Sequence, residues 1–454
     1  MPRIAIIGAG PSGFFLADKL LSQEAVPVTV DLFERLPTPY GLVRYGVAPD
    51  HEKIRNVTRS FDKVAARRGF RFFGNVEVGR HVSLEELRRY YHLIAFTTGA
   101  QTDRRMGIPG EDLAGSHTAT EFVAWYNGHP DYRDREFDLS GARVAVVGVG
   151  NVAVDVARIL ARTHEELATT DLADHALDAL RRSGVREIHL LGRRGPAQAA
   201  FTNPEVKELG ELAGADVRAL AGEVELDSES AESVAREDDA TTRKKLDILA
   251  DYSRRAPAGK PRVLNIRFLV SPVEIIAHNG RVGAIRLARN RLVRAGDDLK
   301  AEPTGEFEEL PVDLVFRSVG YKGVAIPGLP FDEKKGIVPN ERGRILTTHH
   351  SRLAAHYVSG WIKRGPSGVI GTNKPDAAET AESMLADIAA GATLSPDLED
   401  IESLLRARQP DLVDWTAWQK LNEVESTAGK AAGRPRVKHT RIADMLEAIR
   451  RNGS

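Results

Sequence analysis

Short apolar runs that end in glycine-rich turns are the clearest pattern along this chain. The run Ile4–Ile7 leads directly into the turn Gly8–Gly13, apolar positions then recur at helical spacing from Phe14, and a second run covers Val28–Leu32. Apolar residues without alternation are typical of strands buried on both faces of a parallel sheet. Strand, glycine turn, helix and strand in this order predict a βαβ unit that binds a dinucleotide.

The same order returns in the middle of the chain. The run Val144–Val147 is followed by the turn Gly148–Ala153 and by a helix with one apolar face. After an acidic helical stretch at about Glu165–Arg182, the run Ile188–Leu191 supplies the second strand. Two such turns predict that the chain holds two dinucleotides at once. A flavin and a nicotinamide are the natural pair, so the pattern indicates an electron-transfer enzyme.

Each glycine of the first turn has a physical role. Gly8 permits the tight bend, Gly10 lets the main chain approach a pyrophosphate, and Gly13 lets the helix pack closely on the strand. The helix N-terminus then offers unpaired N–H groups to the phosphates.

The residues after the second strand differ between the two units. Glu34 ends the first unit, and a carboxylate there accepts hydrogen bonds from ribose hydroxyls and repels a 2′-phosphate. This fits the adenosine ribose of FAD or NAD(H). The second unit ends in Arg193 and Arg194, a pair that can bind a 2′-phosphate through charge-assisted hydrogen bonds. The second site should therefore prefer NADP(H); a solvated charge pair is the alternative.

Further strand patterns complete the predicted architecture. Leu93–Thr98 has the pattern of another strand of the first sheet, and we interpret Leu314–Phe316 as the return of the chain to the first domain. We predict an α/β fold with two Rossmann-like dinucleotide-binding domains in a glutathione-reductase-like architecture, with the NADP domain inserted into a discontinuous FAD domain. The predicted boundaries are 1–103 and 316–454 for the FAD domain and 104–315 for the NADP domain.

Composition and charge exclude several other classes of protein. The 454 residues include 42% hydrophobic and 28% charged residues, and the net charge of −1 excludes an overall basic nucleic-acid-binding protein. No apolar run approaches the ~20 residues of a membrane helix, and the first strand begins too early to leave room for a signal peptide. Because the chain has no cysteine, a redox dithiol and a cysteine-bound iron–sulfur cluster are excluded. Any iron–sulfur centre must belong to a partner.

Two polar segments in the middle of the chain are less specific. Residues 213–239 are acidic and weakly periodic, and we expect them to be peripheral. The helix predicted next carries five basic residues, which form either a solvated helix face or a docking patch for an acidic partner. These residues are Arg243, Lys244, Lys245, Arg254 and Arg255. The 13 histidines show no metal-ligand spacing, so we predict no metal site.

Several longer stretches resemble a known enzyme family. They are Pro37–Arg44, Gly46–His51, Phe72–Val78, Gly150–Asp155, Gly192–Pro196 and Gly360–Asn373. On these stretches the chain resembles the adrenodoxin reductase family, and within it the bacterial NADPH–ferredoxin reductases of the mycobacterial FprA type. The resemblance runs over most of the chain, and its last stretch is long and hard to produce by chance.

The resemblance implies which residues bind the two cofactors. FAD would be bound by Gly8, Gly10, Ser12, Gly13, Glu34, Leu42, Val78, Trp361, Gly368, Val369 and Ile370. NADPH would be bound by Arg104, Val149, Gly150, Asn151, Val152, Arg193, Arg194, Glu205 and Gly368. In relatives, a histidine and a glutamate lie near the flavin and the nicotinamide, which makes His51 and Glu208 the predicted catalytic residues. A loop histidine and a surface acid are the alternatives.

The implied activity is that of a ferredoxin–NADP⁺ reductase. Hydride would pass from NADPH to FAD, and single electrons would then pass to an iron–sulfur ferredoxin that is acidic and docks transiently. We expect a monomer in the bacterial cytoplasm, with no nucleic-acid partner and no membrane insertion. Two alternatives stay open: a monooxygenase that uses FAD and NADPH, and an NADPH sensor or diaphorase-like subunit of a larger complex.

Overall fold

The computed structural model describes residues 1–296, 298–397 and 400–452, and each of the apolar runs named above overlaps a strand. In chain order the strands are β1 (Arg3–Ile7), β2 (Thr29–Phe33), β3 (Phe70–Phe73), β4 (Leu93–Phe96), β5 (Thr102–Asp103), β6 (Ser116–Thr118), β7 (Arg143–Val147), β8 (Glu187–Leu191), β9 (Ala215–Ala219), β10 (Arg262–Arg267), β11 (Val270–His278), β12 (Arg281–Ala295), β13 (Asp298–Pro311), β14 (Leu314–Arg317), β15 (Tyr321–Lys322), β16 (Asn340–Glu341), β17 (Arg344–Leu346) and β18 (Arg352–Val358).

Helices follow both glycine turns and form most of the C-terminal part. In chain order they are α1 (Pro11–Ser22), α2 (Leu42–Tyr45), α3 (Glu52–Arg55), α4 (Thr58–Ala65), α5 (Leu84–Tyr90), α6 (Ala119–Tyr126), α7 (Asn151–Ala161), α8 (His164–Ala168), α9 (Asp174–Arg181), α10 (Asn203–Leu209), α11 (Ala221–Val224), α12 (Ser228–Glu237), α13 (Ala240–Arg254), α14 (Trp361–Arg364), α15 (Asn373–Ala389), α16 (Glu402–Arg408), α17 (Trp415–Ala431) and α18 (Ile442–Arg451).

The chain forms two compact units. The first consists of Met1–Thr102, Asn127–Pro130 and the residues from Gly320 onward, and the second consists of Asp103–Tyr126 and Asp131–Val319. Each unit contains a parallel sheet that is covered by helices and follows the order strand, glycine turn, helix. These features confirm the predicted α/β fold class with two Rossmann-like units.

A seven-stranded sheet forms the centre of the first unit. Its order is β16-β17-β18-β4-β1-β2-β3, with parallel pairing from β18 to β3 and antiparallel pairing at the β16–β17 edge. Alternate residues of the central strands face opposite sides. Ile4 and Ile6 pack in a core with α1, α15 and α17, whereas Ala5 packs in a second core with α5 and α16. Because helices cover both faces of the sheet, its strands consist of continuous apolar runs.

A buried ion pair joins the C-terminal part of the first unit to α2. Arg44 is 5% exposed and Glu425 is fully buried. The guanidinium donates to both carboxylate oxygens at 2.8 and 2.7 Å. Arg436 and the main-chain N–H of His439 also donate to Glu425, at 3.3 and 2.9 Å. Part of the basic C-terminal end thus lies inside the unit and compensates a buried carboxylate.

The second unit is built on a six-stranded parallel sheet. Its order is β6-β14-β7-β8-β10-β9. Helices α6, α7, α9, α10 and α13 cover one face around a core that includes Phe122 and Ile159.

A three-stranded antiparallel sheet covers the other face of this sheet. It has the order β11-β12-β13, and its apolar residues Ile275, Ile285 and Leu287 pack with Ala145 and Val315 of the parallel sheet. This sheet was not predicted from the sequence.

The structure corrects two expectations about the second unit. Strand β14 pairs with β6 and β7, so its interpretation as the return of the chain to the first domain is wrong; the first unit resumes at Gly320. The segment 213–239 is not peripheral throughout, because β9 pairs with β10 and Glu223 is buried against Arg267 at 2.8 Å. No helix in the described part of the chain has the length and apolarity needed to cross a bilayer.

Candidate functional site

The first glycine turn leaves the start of α1 open. Gly8 has φ +109°, and a Cβ placed on it would lie 2.8 Å from Thr97 O. A Cβ on Gly13 would lie 2.2 Å from Gly8 O, so neither position accepts a larger residue. At Gly10, the N-cap of α1, a placed Cβ would have no described atom within 4 Å. The start of the helix therefore faces open space of the kind that phosphate groups occupy.

Glu34 lies beside this turn, directly after β2. Its carboxylate accepts hydrogen bonds from the N–H groups of Ala9 (3.1 Å) and Leu36 (3.2 Å). Burial raises the pKa of Glu34 above its ordinary value. The structure thus brings an acceptor carboxylate to the edge of the glycine turn, where a ribose could meet it.

The segment that contains Leu42 packs against the same turn. Tyr40, with φ +83°, donates its N–H to Ala9 O at 2.8 Å. Gly41 has φ +48°, and a Cβ placed on it would lie 3.1 Å from Gly10 Cα. Leu42 follows as the first residue of α2. The main chain next to Leu42 is therefore in close contact with the glycine turn.

A hydrogen-bond chain connects Ser12 to the start of α14. The Ser12 hydroxyl donates to Ser359 Oγ (2.9 Å), which donates to Asp376 Oδ2 (3.1 Å). The same carboxylate oxygen accepts the N–H of Gly360. Gly360 has φ +80°, and a Cβ there would lie 2.7 Å from Ser12 Oγ. The chain fixes the main chain directly before Trp361, and sequence reasoning gave Asp376 no role.

Arg364 shapes the loop that contains Gly368–Ile370. Its guanidinium donates to Ser367 O and, at 3.1 Å, to Thr372 Oγ1. The Trp361 indole also donates to Ser367 O, at 3.3 Å. Val369 at the tip of this loop is 55% exposed. The loop thus presents main chain at the surface of the first unit, held by an arginine whose role the glycine-rich motif alone did not reveal.

The second glycine turn repeats the geometry of the first. Gly148 has φ +129°, and a Cβ on it would lie 2.3 Å from Ser318 O. Gly150 is the N-cap of α7, and a Cβ there would again have no described atom within 4 Å. Asn151 Oδ1 accepts the N–H of Thr202 at 2.9 Å, and Val149 O accepts two N–H groups of the same loop. Val152 packs against the core below the turn.

The two arginines lie at the end of β8, in the same unit. Arg193 is exposed and Arg194 is half-buried. The Arg194 guanidinium lies 3.7 Å from the carboxylate of Asp298, which is itself 71% exposed. A cationic turn beside an open helix start can bind an adenosine with a 2′-phosphate.

A buried arginine organises the acids of α10. Arg158 is 0% exposed and contacts Glu205 at 3.1 Å and Glu208 at 3.9 Å. It also pairs with Asp155 at 2.7 Å. Arg158 was not among the residues predicted from the sequence, although a charged residue on the apolar face of α7 was a usable signal.

Three predicted site residues lie in loops or at a helix end. His51 is the N-cap of α3 in the first unit. Val78 is half-buried in the first unit, where its main chain pairs with that of Val82. Arg104 is exposed at the start of the second unit.

One member of the predicted basic patch is not at the surface. Lys245 is 8% exposed, and its ammonium donates to Ala199 O. Burial lowers the pKa of Lys245. The other four cations of α13 and its end are exposed, although Arg243 pairs with Asp238 and Arg255 pairs with Asp251. Lys245 is therefore removed from the predicted docking patch, because its charged group is used inside the unit.

Known proteins resemble this chain along nearly its whole length. A family model described as pyridine nucleotide-disulphide oxidoreductase matches residues 2–190. NADPH-ferredoxin reductase FprA of Mycobacterium tuberculosis (strain ATCC 25618 / H37Rv) is 47% identical over 456 residues, which cover 98% of each chain. The mitochondrial NADPH:adrenodoxin oxidoreductase of Salvelinus fontinalis is 40% identical over 465 residues, covering 99% of this chain and 91% of that protein. The solved structure of Mycobacterium tuberculosis FprA in complex with NADPH has a TM-score of 0.92 at 46% identity and covers 99% of each chain.

Proposed function

The chain belongs to the family of NADPH–ferredoxin and adrenodoxin reductases, and from this we infer that it is an FAD-dependent oxidoreductase that transfers electrons from NADPH to a ferredoxin. Its cofactors are FAD and NADP(H). When bound, FAD supplies the chemistry that links a two-electron donor to a one-electron acceptor. The observation that supports this most directly is the pair of open glycine turns, one beside Glu34 and the other beside two arginines.

The residues of the first unit fit the adenosine diphosphate part of FAD. We propose that the turn binds the pyrophosphate and that Glu34 accepts hydrogen bonds from the ribose, because Gly10 leaves the helix start open and the Glu34 carboxylate lies at its edge. The further FAD contacts proposed are Gly8, Ser12, Gly13, Leu42, Val78, Trp361, Gly368, Val369 and Ile370. The hydrogen bonds from Ser12 to Ser359 and from Ser359 to Asp376 support this proposal, because they hold the main chain that directly precedes Trp361.

The residues of the second unit fit NADP(H). We propose that the Gly148–Ala153 turn binds the pyrophosphate and that Arg193 and Arg194 bind the 2′-phosphate. The further contacts proposed are Arg104, Val149, Gly150, Asn151, Val152 and Glu205 of the second unit, together with Gly368, which belongs to the first unit. His51 and Glu208 stay the predicted catalytic residues, with a role in stabilising charge or moving a proton.

An anaerobic titration of the purified protein tests the function. We expect the flavin absorbance to bleach rapidly with NADPH and much more slowly with NADH, and the reduced protein to reduce an added iron–sulfur ferredoxin. Equal bleaching by both nucleotides would support the assignment as a flavoenzyme but would contradict the proposed role of the arginine pair. A protein without a flavin spectrum, even after addition of FAD, would contradict the proposed function.

The partner is an iron–sulfur ferredoxin. We propose that it is acidic and docks transiently on the exposed cations of the α13 region, which are Arg243, Lys244, Arg254 and Arg255. Opposite charges raise the association rate, and salt screens this effect. We therefore expect the rate of ferredoxin reduction to fall as ionic strength rises; a rate independent of salt would contradict the patch. A monomeric state and a cytoplasmic location stay predictions.

The contact between Asp298 and Arg194 leads to a separate prediction. The Asp298 carboxylate lies 3.7 Å from the Arg194 guanidinium and competes with a 2′-phosphate for its positive charge. Exposed ion pairs contribute up to about 1 kcal/mol, so Asp298→Asn should tighten NADPH binding by up to about fivefold. Binding of NADH should not change. The change is measured as the Kd of each nucleotide by fluorescence titration.

Glu306→Gln is the matched control for this variant. It removes the same charge from the same strand, next to Phe307, which pairs with Ala288, whereas Asp298 pairs with Ala295 at the far end of β12. If Glu306→Gln tightened NADPH binding as much as Asp298→Asn, net charge rather than the Arg194 contact would be responsible.

A further inference from the structure

The turn that contains the two arginines is bonded to the end of β10 and to the start of the three-stranded sheet of β11, β12 and β13. Main-chain bonds join Gly192 N to Arg267 O (2.8 Å), Val270 N to Gly192 O (3.0 Å) and Leu269 N to Arg194 O (3.2 Å). These bonds place the turn at the junction between the ends of β8 and β10 and the start of β11. The conformation of the turn therefore depends on an element outside the glycine-turn unit itself.

Asn290 holds the carbonyl between these two bonded positions. Its side-chain amide donates to Arg193 O at 2.9 Å and to Ser271 Oγ at 2.8 Å. Asn290 is 7% exposed, and its own N–H donates to Leu269 O at 2.8 Å. Both amide hydrogens and the main-chain N–H of Asn290 thus donate hydrogen bonds. These bonds fix the side chain in the one orientation in which every donor has an acceptor.

Asn290 lies beside a register shift between β12 and β13. Ala288 pairs with Phe307 and Asn290 pairs with Pro303, so the extra residues of this bulge belong to β13 and lie opposite Arg289. A bulge of this kind bends and twists the strand pair locally. Two residues further along β12, Leu292 Cδ1 lies 3.3 Å from a Cβ placed on Gly195, so the same strand supports the turn at both ends.

We propose that Asn290 is a positioning residue that sets the affinity of the second unit for a 2′-phosphate. This rests on the proposed function, in which Arg193 and Arg194 bind that phosphate. Bonds from guanidinium to phosphate are directional and often bidentate, so their strength depends on where the main chain holds the arginines. Without the Asn290 amide, the Arg193 carbonyl loses its buried partner and the turn gains other conformations. The hydrogen bonds described for this amide go to Arg193 O and Ser271 Oγ, and neither partner belongs to the open helix start.

Binding of two adenosine nucleotides to the purified holoenzyme tests the proposal. The probes are 2′,5′-ADP, which carries the 2′-phosphate, and 5′-ADP, which does not. In Asn290→Ala we expect the Kd of 2′,5′-ADP to rise about tenfold, because the free energy of one hydrogen bond no longer helps to position the arginines. The Kd of 5′-ADP should stay within about twofold of its value for the unmodified protein. In steady-state assays the KM for NADPH should rise while kcat and the constants for NADH stay unchanged.

Two further variants separate positioning from folding. Asn290→Val removes both donors but favours a strand, so it keeps the test valid if the alanine variant unfolds. Thr304→Ala removes a side-chain bond to Arg289 O in the same sheet, at 3.1 Å, and should leave both Kd values unchanged. All variants are compared by thermal unfolding of the holoenzyme.

The outcomes distinguish this proposal from the function on which it rests. Unchanged binding of 2′,5′-ADP in folded Asn290 variants, or equal weakening of both probes, would overturn the positioning role and leave the proposed function intact. If the unmodified protein bound 2′,5′-ADP no better than 5′-ADP, the arginine assignment itself would fail and the positioning role with it.

Discussion

Replacement of both Arg193 and Arg194 with alanine is expected to abolish the preference for NADPH. Each charge-assisted hydrogen bond contributes about 1.5–3 kcal/mol, so two lost contacts should raise the Kd of NADPH at least about 100-fold. Binding of NADH should change little, because its ribose carries a hydroxyl at the position of the phosphate. The measurement is kcat/KM for each nucleotide with an artificial one-electron acceptor. The flavin spectrum should be that of the unmodified protein, since both arginines lie in the second unit.

The chain offers a matched control for this double variant. Arg181 and Arg182 are likewise adjacent, and both are exposed at the end of α9 in the same unit. Their replacement with alanine removes the same total charge and should leave the ratio of kcat/KM values unchanged. Equal losses in the two double variants would point to long-range attraction of an anionic nucleotide rather than to a phosphate site.

Removal of the Glu425 carboxylate is expected to cost about 3–5 kcal/mol of unfolding free energy, because Glu425→Ala leaves the buried Arg44 without its main counter-charge. Arg44 is 5% exposed and cannot regain water without opening the contact between α2 and α17. Leu42 lies in the same short helix as Arg44. We therefore also expect faster release of FAD, measured by the rise of free-flavin fluorescence during denaturant unfolding.

Asp18→Ala is the control for this variant. It breaks an exposed ion pair of the same unit, to Arg67 at 3.0 Å, and should cost no more than about 1 kcal/mol. A Glu425 variant as stable as the Asp18 variant would contradict the proposed importance of the buried pair.

Acid should weaken the same contact. Burial acts to raise the pKa of Glu425, but the charge of Arg44, the hydrogen bonds from His439 and Arg44 and the charge of Arg436 together outweigh burial and hold the pKa below its ordinary value of 4.5. The stability that the ionised carboxylate adds is therefore fully present above pH 4.5 and is lost progressively as the pH falls below that value. The unfolding free energies of the unmodified protein and of Glu425→Gln should converge as the pH is lowered.

Sequence reasoning located strands more reliably than it assigned them to sheets. The apolar run Leu314–Phe316 leads toward a glycine exit, as Leu93–Phe96 does, yet Leu314–Phe316 belongs to the six-stranded sheet and Leu93–Phe96 to the seven-stranded sheet. An apolar strand buried on both faces looks alike in either Rossmann-like unit. The neighbour of such a strand is decided by how the chain folds back, which composition does not record.

The three-stranded sheet was not predicted from the sequence for a different reason. Along β12, Ile285 and Leu287 are buried at odd positions, whereas Asn290 and Leu292 are buried at even ones. Ala288 is buried as well, so the buried positions change from odd to even between Leu287 and Ala288. A period-two pattern that changes phase within one strand does not stand out in the sequence. Charged residues are equally hard to place from the sequence. A run of basic residues does not reveal that one of them, Lys245, is buried.

The sequence by itself determined the features that are made by consecutive residues. The two glycine turns, Glu34 after one strand and Arg193 and Arg194 after another follow from local geometry, since a few neighbouring residues suffice to open a helix start and to place a charge beside it. Only the tertiary structure decided how these features are held. Asn290 is 97 residues from Arg193, and Glu425 is 381 residues from Arg44. A buried polar group must find a partner wherever the folded chain brings one near, and that choice is made by packing rather than by sequence neighbourhood.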